Sequence, residues 1–399
     1  MKMPSLPGVI TRNRRLIGWV LAAAAVLSWL LLYKLGDLTG GMSRDELSAV
    51  AAPVGLHAIY ADPLYLPLKL VRAATFFSFP DHGQTLGRLP NAVFGGLAML
   101  SFAGLVRLWY GARIAALAGA MFAFGAWTLH VSRLASFDVL YLWALPTLLF
   151  SHFLLRKYYR HTAVWFGTVV VWGLLLYIPG LVWFVLMDIW LQRKYVAAGW
   201  HHAEAWWRRV LFVLLSIAWL PLLAVDLARQ GSLLTWLGSP AHFGNAVALA
   251  KDFASVPVQL FVRGPEDPQL WLGRLPLLSV FALVLCVLGI YFYATHRKSR
   301  RSRYVAGMAA LGFILVGLGG PVSLSLLVPL LYVAVATGLA YLLSQWLKTF
   351  PNNPLARALG LGLIVFAVAL SCLYNYRAYF IAWPHTQETK ATFQYRRHP

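Results

Sequence analysis

The chain has 399 residues, 60% of them hydrophobic and only 12% charged, with 17 Trp and a mean hydropathy of +0.67. So few polar side chains cannot cover a water-facing surface, which excludes a soluble globular protein and points to an integral membrane protein. The net charge of +21 calls for no nucleic-acid partner, because most Lys and Arg fall in short loops on one side of the expected crossings.

Apolar runs near the ~20 residues that cross a ~30 Å hydrocarbon core lie at Leu16–Tyr33, Asn91–Tyr110, Ile114–Leu129, Val139–Leu155, Ala163–Ile178, Leu181–Leu191, Val210–Leu227, Leu275–Tyr293, Tyr304–Leu318, Val322–Leu343 and Leu355–Leu373. The expected fold is an all-α polytopic membrane protein of about eleven transmembrane helices, forming a single domain over residues 1–399 with no separate soluble part. The basic connections Met1–Arg15, Arg107–Arg113, Arg156–His161, Gln192–Arg209, Ala294–Arg303 and Lys348–Arg357 place the N-terminus in the cytoplasm and the C-terminus outside. Of the acids, only Asp188 and Glu204 are expected on the cytoplasmic side. The basic start Arg12-Asn-Arg14-Arg15 lacks a small-x-small site beyond Tyr33, so an uncleaved anchor is expected. The two cysteines, Cys286 and Cys372, read as buried small hydrophobes.

Two longer connections, residues 34–90 and 228–274, both fall outside. In the first, Ser43-Arg44-Asp45-Glu46 has the form of a capping box, and Leu47, Val50, Ala51 and Val54 follow at helical spacing, as in a helix lying along the interface. Asp62-Pro63 is a second candidate helix start, and Pro67 a third, which would put Lys69 and Arg72 on one face. The second connection is rich in Gly and Pro. Beyond Leu373 the aromatic residues Tyr374, Tyr376, Tyr379, Phe380 and Trp383 read as an interfacial belt.

Acids at a bilayer surface in so apolar a chain mark a functional site. Asp45 and Glu46 open the first loop, and Asp138 enters the next outside-to-inside crossing. Both acids of the pair also have a plainer reading, since the first turn of a helix favours carboxylates and Glu46 would complete the capping box. In the functional reading, one carboxylate accepts a proton from an acceptor hydroxyl while another orients the acceptor or holds a divalent cation. Lys69, Arg72, Arg88 and Arg133 are candidates for gripping a lipid phosphate, against the plainer alternative of snorkelling at the bilayer edge. His57, Asp62 and His82, with Asp81 and His130 nearby, offer a candidate metal set without specific spacing, and solvated histidines explain them equally.

The order of features resembles the GT-C superfamily of membrane glycosyltransferases, and within it the protein O-mannosyltransferase and lipid A aminoarabinose transferase branch. The resemblance rests on the acidic pair after the first span, Asp62-Pro-Leu-Tyr65, Arg88-Leu-Pro90, Trp109-Tyr-Gly-x-Arg113, Ser132-Arg-Leu-Ala-Ser-Phe-Asp138 and Tyr177-Ile-Pro-Gly180. It implies transfer of a sugar from a polyprenyl-phosphate donor to an acceptor on the external face. The acceptor could be a glycan, a lipid or a protein. Asp45 matches the carboxylate that activates the acceptor, Glu46 its neighbour, Asp138 the second carboxylate, and Arg133 a basic residue preceding it. Where some relatives carry a basic residue before the first-loop proline, this chain has Asp62. The layout, without extra domains, points to a prokaryotic plasma membrane, with an endoplasmic reticulum membrane left open. A transporter or lipid flippase is the alternative, and it expects ionisable groups near mid-span. A non-catalytic scaffold is the third reading. The geometric test is whether Asp45 and Asp138 face one cavity.

Overall fold

The computed structural model describes residues 14–51, 55–78, 83–202, 205–228 and 232–395. In chain order the α-helices are α1 (Arg14–Leu32), α2 (Arg44–Ala51), α3 (Leu56–Ala61), α4 (Leu66–Ser78), α5 (Gln84–Tyr110), α6 (Ala112–Ala123), α7 (Ala126–Arg133), α8 (Asp138–Tyr158), α9 (Thr162–Leu175), α10 (Leu181–His202), α11 (Trp206–Ile217), α12 (Leu220–Leu227), α13 (Ser232–Trp236), α14 (Ala246–Phe261), α15 (Val280–Thr295), α16 (Arg300–Gly317), α17 (Val328–Thr349), α18 (Pro354–Arg377) and α19 (Gln387–Thr392). Among the described residues the extended structure is limited to an isolated bridge between Met42 and Tyr395. The all-α class follows from the sequence, since a lipid core leaves backbone groups no partner outside their own helix.

Among the described residues five helical stretches are long and apolar enough to span a membrane, or six if the bent pair α6–α7 counts as one span. Others among the eleven expected crossings are shorter: α9 and α15 have 14 and 16 residues. The stretch expected as one crossing from Ile114 instead turns by 62° between α6 and α7. Gly125 sits at this break, where a Cβ would crowd the Tyr332 hydroxyl. The aromatic packing and the turn therefore require the same glycine.

Helix α8 is central, with 78% of its apolar window buried, whereas the continuous α11–α12 stretch has only 6% buried. Exposed Leu214, Ile217 and Leu220 on the latter give it a lipid-facing surface. Helix α8 packs along α5, where Phe94 meets Trp143 edge-on and Thr147 donates to Ser101 at 3.0 Å. Helices α15 and α17 cross so closely that a Cβ on Gly289 would overlap the Ala334 carbonyl, and one on Gly338 the Leu285 carbonyl. Small residues at such crossings let backbones approach where lipid supplies no hydrophobic drive.

The Tyr177-Ile-Pro-Gly180 turn joins the two long loops. Its Tyr177 carbonyl accepts from Tyr65 N at 2.7 Å, and Gly180 N donates to Trp236 O at 2.8 Å. Tyr141 of α8 donates to the carbonyls of Pro179 and Pro321 at 3.2 and 3.1 Å. Gly180 has φ +78° and packs against Gly238 at φ +81°. A side chain at either position would strain the backbone and separate the loops.

The region after Leu373 departs from a simple belt. Tyr374 is exposed, but Tyr379, Phe380 and Trp383 are buried through a π-helical turn at Ala378–Ala382. They fold back because Arg133 presents its cation to the rings of Tyr379 and Phe380, at 5.6 and 4.9 Å from their centroids. Asp188, expected near the cytoplasmic boundary, lies within α10 and is fully buried.

Candidate active site

The capping box forms as its sequence requires. Ser43 Oγ accepts from Glu46 N at 3.1 Å, and Glu46 Oε2 accepts from Ser43 N at 3.2 Å. Val50 is buried beside Met42 and Ala135, which fixes the inner face of α2. The Asp62-Pro63 start does not form. Asp62 ends α3, its Oδ1 accepts from Leu64 N at 3.2 Å, and α4 begins at Leu66 after Tyr65 adopts φ +59°. Pro67 stands at the second position of α4, where its missing N–H costs nothing.

These helices wall a cavity of about 810 Å³. Asp45 and Ser48 come from α2, Lys69 and Arg72 from α4, Ser136 and Asp138 from the turn into α8, and Asp267 and Gln269 from the second long loop. Asp45 and Asp138, 93 positions apart in the chain, thus line one space. The Asp45 carboxylate has no hydrogen-bond or ion-pair partner among the described residues, and its side chain is exposed. Asp138 sits at the N-terminus of α8, favourable for a negative charge. Ser136, Ser323 and Asp267 stand near its carboxylate.

Glu46 has a different environment. It is wholly buried and receives Arg88 Nε at 2.9 Å, Arg88 Nη2 at 2.7 Å and Ala135 N at 2.8 Å. Arg88 also donates to the carbonyls of Leu35 and Gly41. Arg133 donates to the carbonyls of Leu30 and Tyr33, both at 2.6 Å. Neither Arg88 nor Arg133 lines the large cavity where a lipid phosphate was expected to meet them: Glu46 and two buried carbonyls take up the donors of Arg88, and two carbonyls accept from the Nη atoms of Arg133, whose Nε has no partner among the described residues. The Glu46–Arg88 pair instead fastens α2 and α5 to the backbone just before Asp138. Asn91 adds a bond to the Ser136 carbonyl at 2.5 Å.

Lys69 and Arg72 do line the cavity. Lys69 Nζ pairs with Asp62 Oδ2 at 2.7 Å, near the surface. Arg72 is only 4% exposed and donates Nη1 to Ala49 O at 3.0 Å, while Nε and Nη2 have no partner among the described residues. Its guanidinium lies 5.5 Å from the Phe137 ring centroid. Burial lowers its pKa to about 10, which still leaves it charged at neutral pH. A buried cation with unfilled donors is costly unless an anion completes it. Tyr65 stacks on Phe137 at 4.2 Å, and burial raises its hydroxyl to about 12, so it remains a proton donor.

His57 and Asp62 also border the cavity, whereas His82 and Asp81 lie outside the described residues. Among the described residues no three His, Cys, Asp or Glu side chains gather as a metal site. The sequence reading missed Asp267 and Gln269. Their loop carries punctuators but no periodic pattern, and only its return through the Gly180–Gly238 contact brings them to Asp138.

No family model matches the chain, and no curated protein does. Among solved structures, the chain is similar to ArnT from Cupriavidus metallidurans bound to undecaprenyl phosphate, with TM-score 0.58 and 14% identity, covering 93% of this chain and 77% of ArnT. It is also similar to the oligosaccharyltransferase AglB from Archaeoglobus fulgidus in complex with an inhibitory peptide and a dolichol-phosphate. There the TM-score is 0.54 and identity 15%, covering 92% of this chain and 56% of AglB. The tethered acceptor-peptide form of the Archaeoglobus fulgidus oligosaccharyltransferase aligns with TM-score 0.51 and 13% identity, over 96% of this chain and 56% of that one. The chain thus has the fold seen in ArnT and AglB, built on helices long and apolar enough to cross a membrane.

Proposed function

We propose that this protein is a glycosyltransferase that moves a sugar from a polyprenyl-phosphate carrier to an acceptor hydroxyl in the large cavity. The observation that carries the reading is the meeting of the unpaired Asp45, Asp138 and the half-satisfied Arg72 on one wall system of about 810 Å³. ArnT and AglB, structures of which hold undecaprenyl phosphate and dolichol-phosphate, lend it support through their shared fold.

In the proposed reaction the acceptor oxygen attacks the anomeric carbon and its proton passes to the Asp45 carboxylate. The bond from the anomeric carbon to the phosphate oxygen breaks, and that oxygen leaves with the electron pair. Arg72, through Nε and Nη2, stabilises the charge that develops there, with Lys69 at the outer edge. Asp138, fixed at the start of α8, orients the acceptor. Glu46 acts at one remove, as the positioning residue that holds α2 against the Asp138 turn. Attack opposite the leaving group inverts the anomeric centre. The charge distribution of the loops supports a cavity on the external face, where no nucleotide sugar is normally at hand and a lipid must carry the donor.

The test is incubation of the purified protein with a panel of polyprenyl-phosphate sugars, following release of the lipid phosphate. Turnover with at least one donor, and its loss in Asp45→Asn with membrane insertion intact, is expected. Full activity in Asp45→Asn would refute the assignment.

A further inference from the structure

A second cavity, of about 500 Å³, lies at the other end of α8. Asp138 opens that helix and Arg156 closes on the second cavity, so 18 residues at 1.5 Å each separate the two by about 27 Å, close to one hydrocarbon thickness. This space is bordered by Arg156 of α8, Arg193 and Lys194 of α10, and Arg300 and Arg303 of α16. Among the described residues no carboxylate lines it. None of the five side chains has an ion-pair or hydrogen-bond partner among the described residues, although Arg156 is held over the rings of Phe153 and Tyr195.

The positive-inside bias accounts for cations on this face but not for their convergence from three helices on one concavity. Arg300 and Arg303 also occupy the first turn of the 18-residue α16, where the dipole is positive and no acid compensates. That arrangement is unfavourable until an anion fills it. The floor is rigid. His152 and Tyr304 border the cavity and both bond Asp188 Oδ1 at 2.6 Å, while Trp172 and Gln192 bond Oδ2 at 2.8 and 2.6 Å. With all four partners in place, the Asp188 carboxylate is held beneath the floor and does not itself line the cavity. Trp190 and Leu191 on the same wall are 62% and 40% exposed, giving an apolar flank toward the bilayer.

We infer that this cavity binds the phosphate headgroup of an anionic membrane lipid, with Arg156, Arg193, Lys194, Arg300 and Arg303 around the phosphate and the Trp190–Leu191 flank against the acyl chains. The site is separate from the carboxylate cavity and does not depend on the transferase reading. The apolar flank is what favours a lipid over a free phosphate ion.

The experiment uses the full chain in neutral detergent, with binding of phosphatidylglycerol, phosphatidylcholine and inorganic phosphate measured by native mass spectrometry. Phosphatidylglycerol should bind in preference to the other two. The double variant Arg300→Gln/Arg303→Gln should weaken it about tenfold, and Arg193→Gln/Lys194→Gln should do the same from the opposite wall. Lys348→Gln/Arg357→Gln, a basic pair on the same face outside the cavity, should leave it unchanged. Equal loss in the Lys348/Arg357 control would reduce the effect to general surface charge and overturn the proposal. So would equal retention of the two lipids, or inorganic phosphate binding as tightly as the anionic lipid.

Discussion

Arg88 grips both carboxylate oxygens of Glu46, Nε to Oε1 at 2.9 Å and Nη2 to Oε2 at 2.7 Å, in a pair that water does not reach. Beside it in the chain, Asp45 lines the cavity, its carboxylate without a partner among the described residues. Breaking a buried pair by removing one partner costs about 3–5 kcal/mol because a lone charge stays behind. Glu46→Ala and Arg88→Ala should therefore lower the melting midpoint in detergent sharply, whereas Asp45→Asn should leave it unchanged. A wild-type melting curve for Glu46→Ala would show that the pair does not fasten α2 to α5.

Arg72 offers the opposite balance. Among the described residues its buried guanidinium has one acceptor and two empty donors, so replacing it removes little native bonding. Arg72→Met should melt within about 1 kcal/mol of the wild type. Its KM for a polyprenyl-phosphate donor should rise about 10- to 100-fold, since a hydrogen bond to a charged group is worth about 1.5–3 kcal/mol. Arg72→Lys should recover part of the affinity, as a point charge without the planar fork. An unchanged KM in Arg72→Met would remove it from the phosphate site.

Asp267 brings a further carboxylate to the wall near Asp138. As an exposed charge it acts weakly on an anionic donor, by under about 1 kcal/mol. Asp267→Asn should lower KM for the donor by about two- to fivefold and keep turnover, while Asp138→Asn should depress turnover itself. Equal loss of turnover in both variants would give Asp267 a direct part in the reaction.

The α15–α17 crossing depends on Gly289 and Gly338, each facing a carbonyl of the other helix. Gly338→Ala should force the backbones apart at a cost of about 1–3 kcal/mol. Gly362, with open space around it on α18, is the control: Gly362→Ala should hold or raise the melting midpoint. Equal midpoints for the two variants would mean the crossing is looser than described.

The amino-acid sequence by itself determined the membrane class, the helical fold, the capping box at Ser43–Glu46 and the position of Asp45 and Asp138 as acids at helix starts. These are matters of composition, local spacing and hydrogen bonds between near neighbours, all of which are carried by a short stretch of chain. The reach of each span was less legible, because the run from Ile114 bends by 62° at Gly125, where Tyr332 from α17 packs close. Tertiary structure alone decided how the charges divide. Arg72, Arg88 and Arg133 are alike as residues, but Arg88 meets Glu46, Arg133 meets the carbonyls of α1 and the following turn, and Arg72 meets an open cavity. It also brought Asp267 to the wall and placed Asp188 in a closed network. A charge's role depends on the partners and the dielectric around it, and in this chain those partners come from segments as far as 116 positions away.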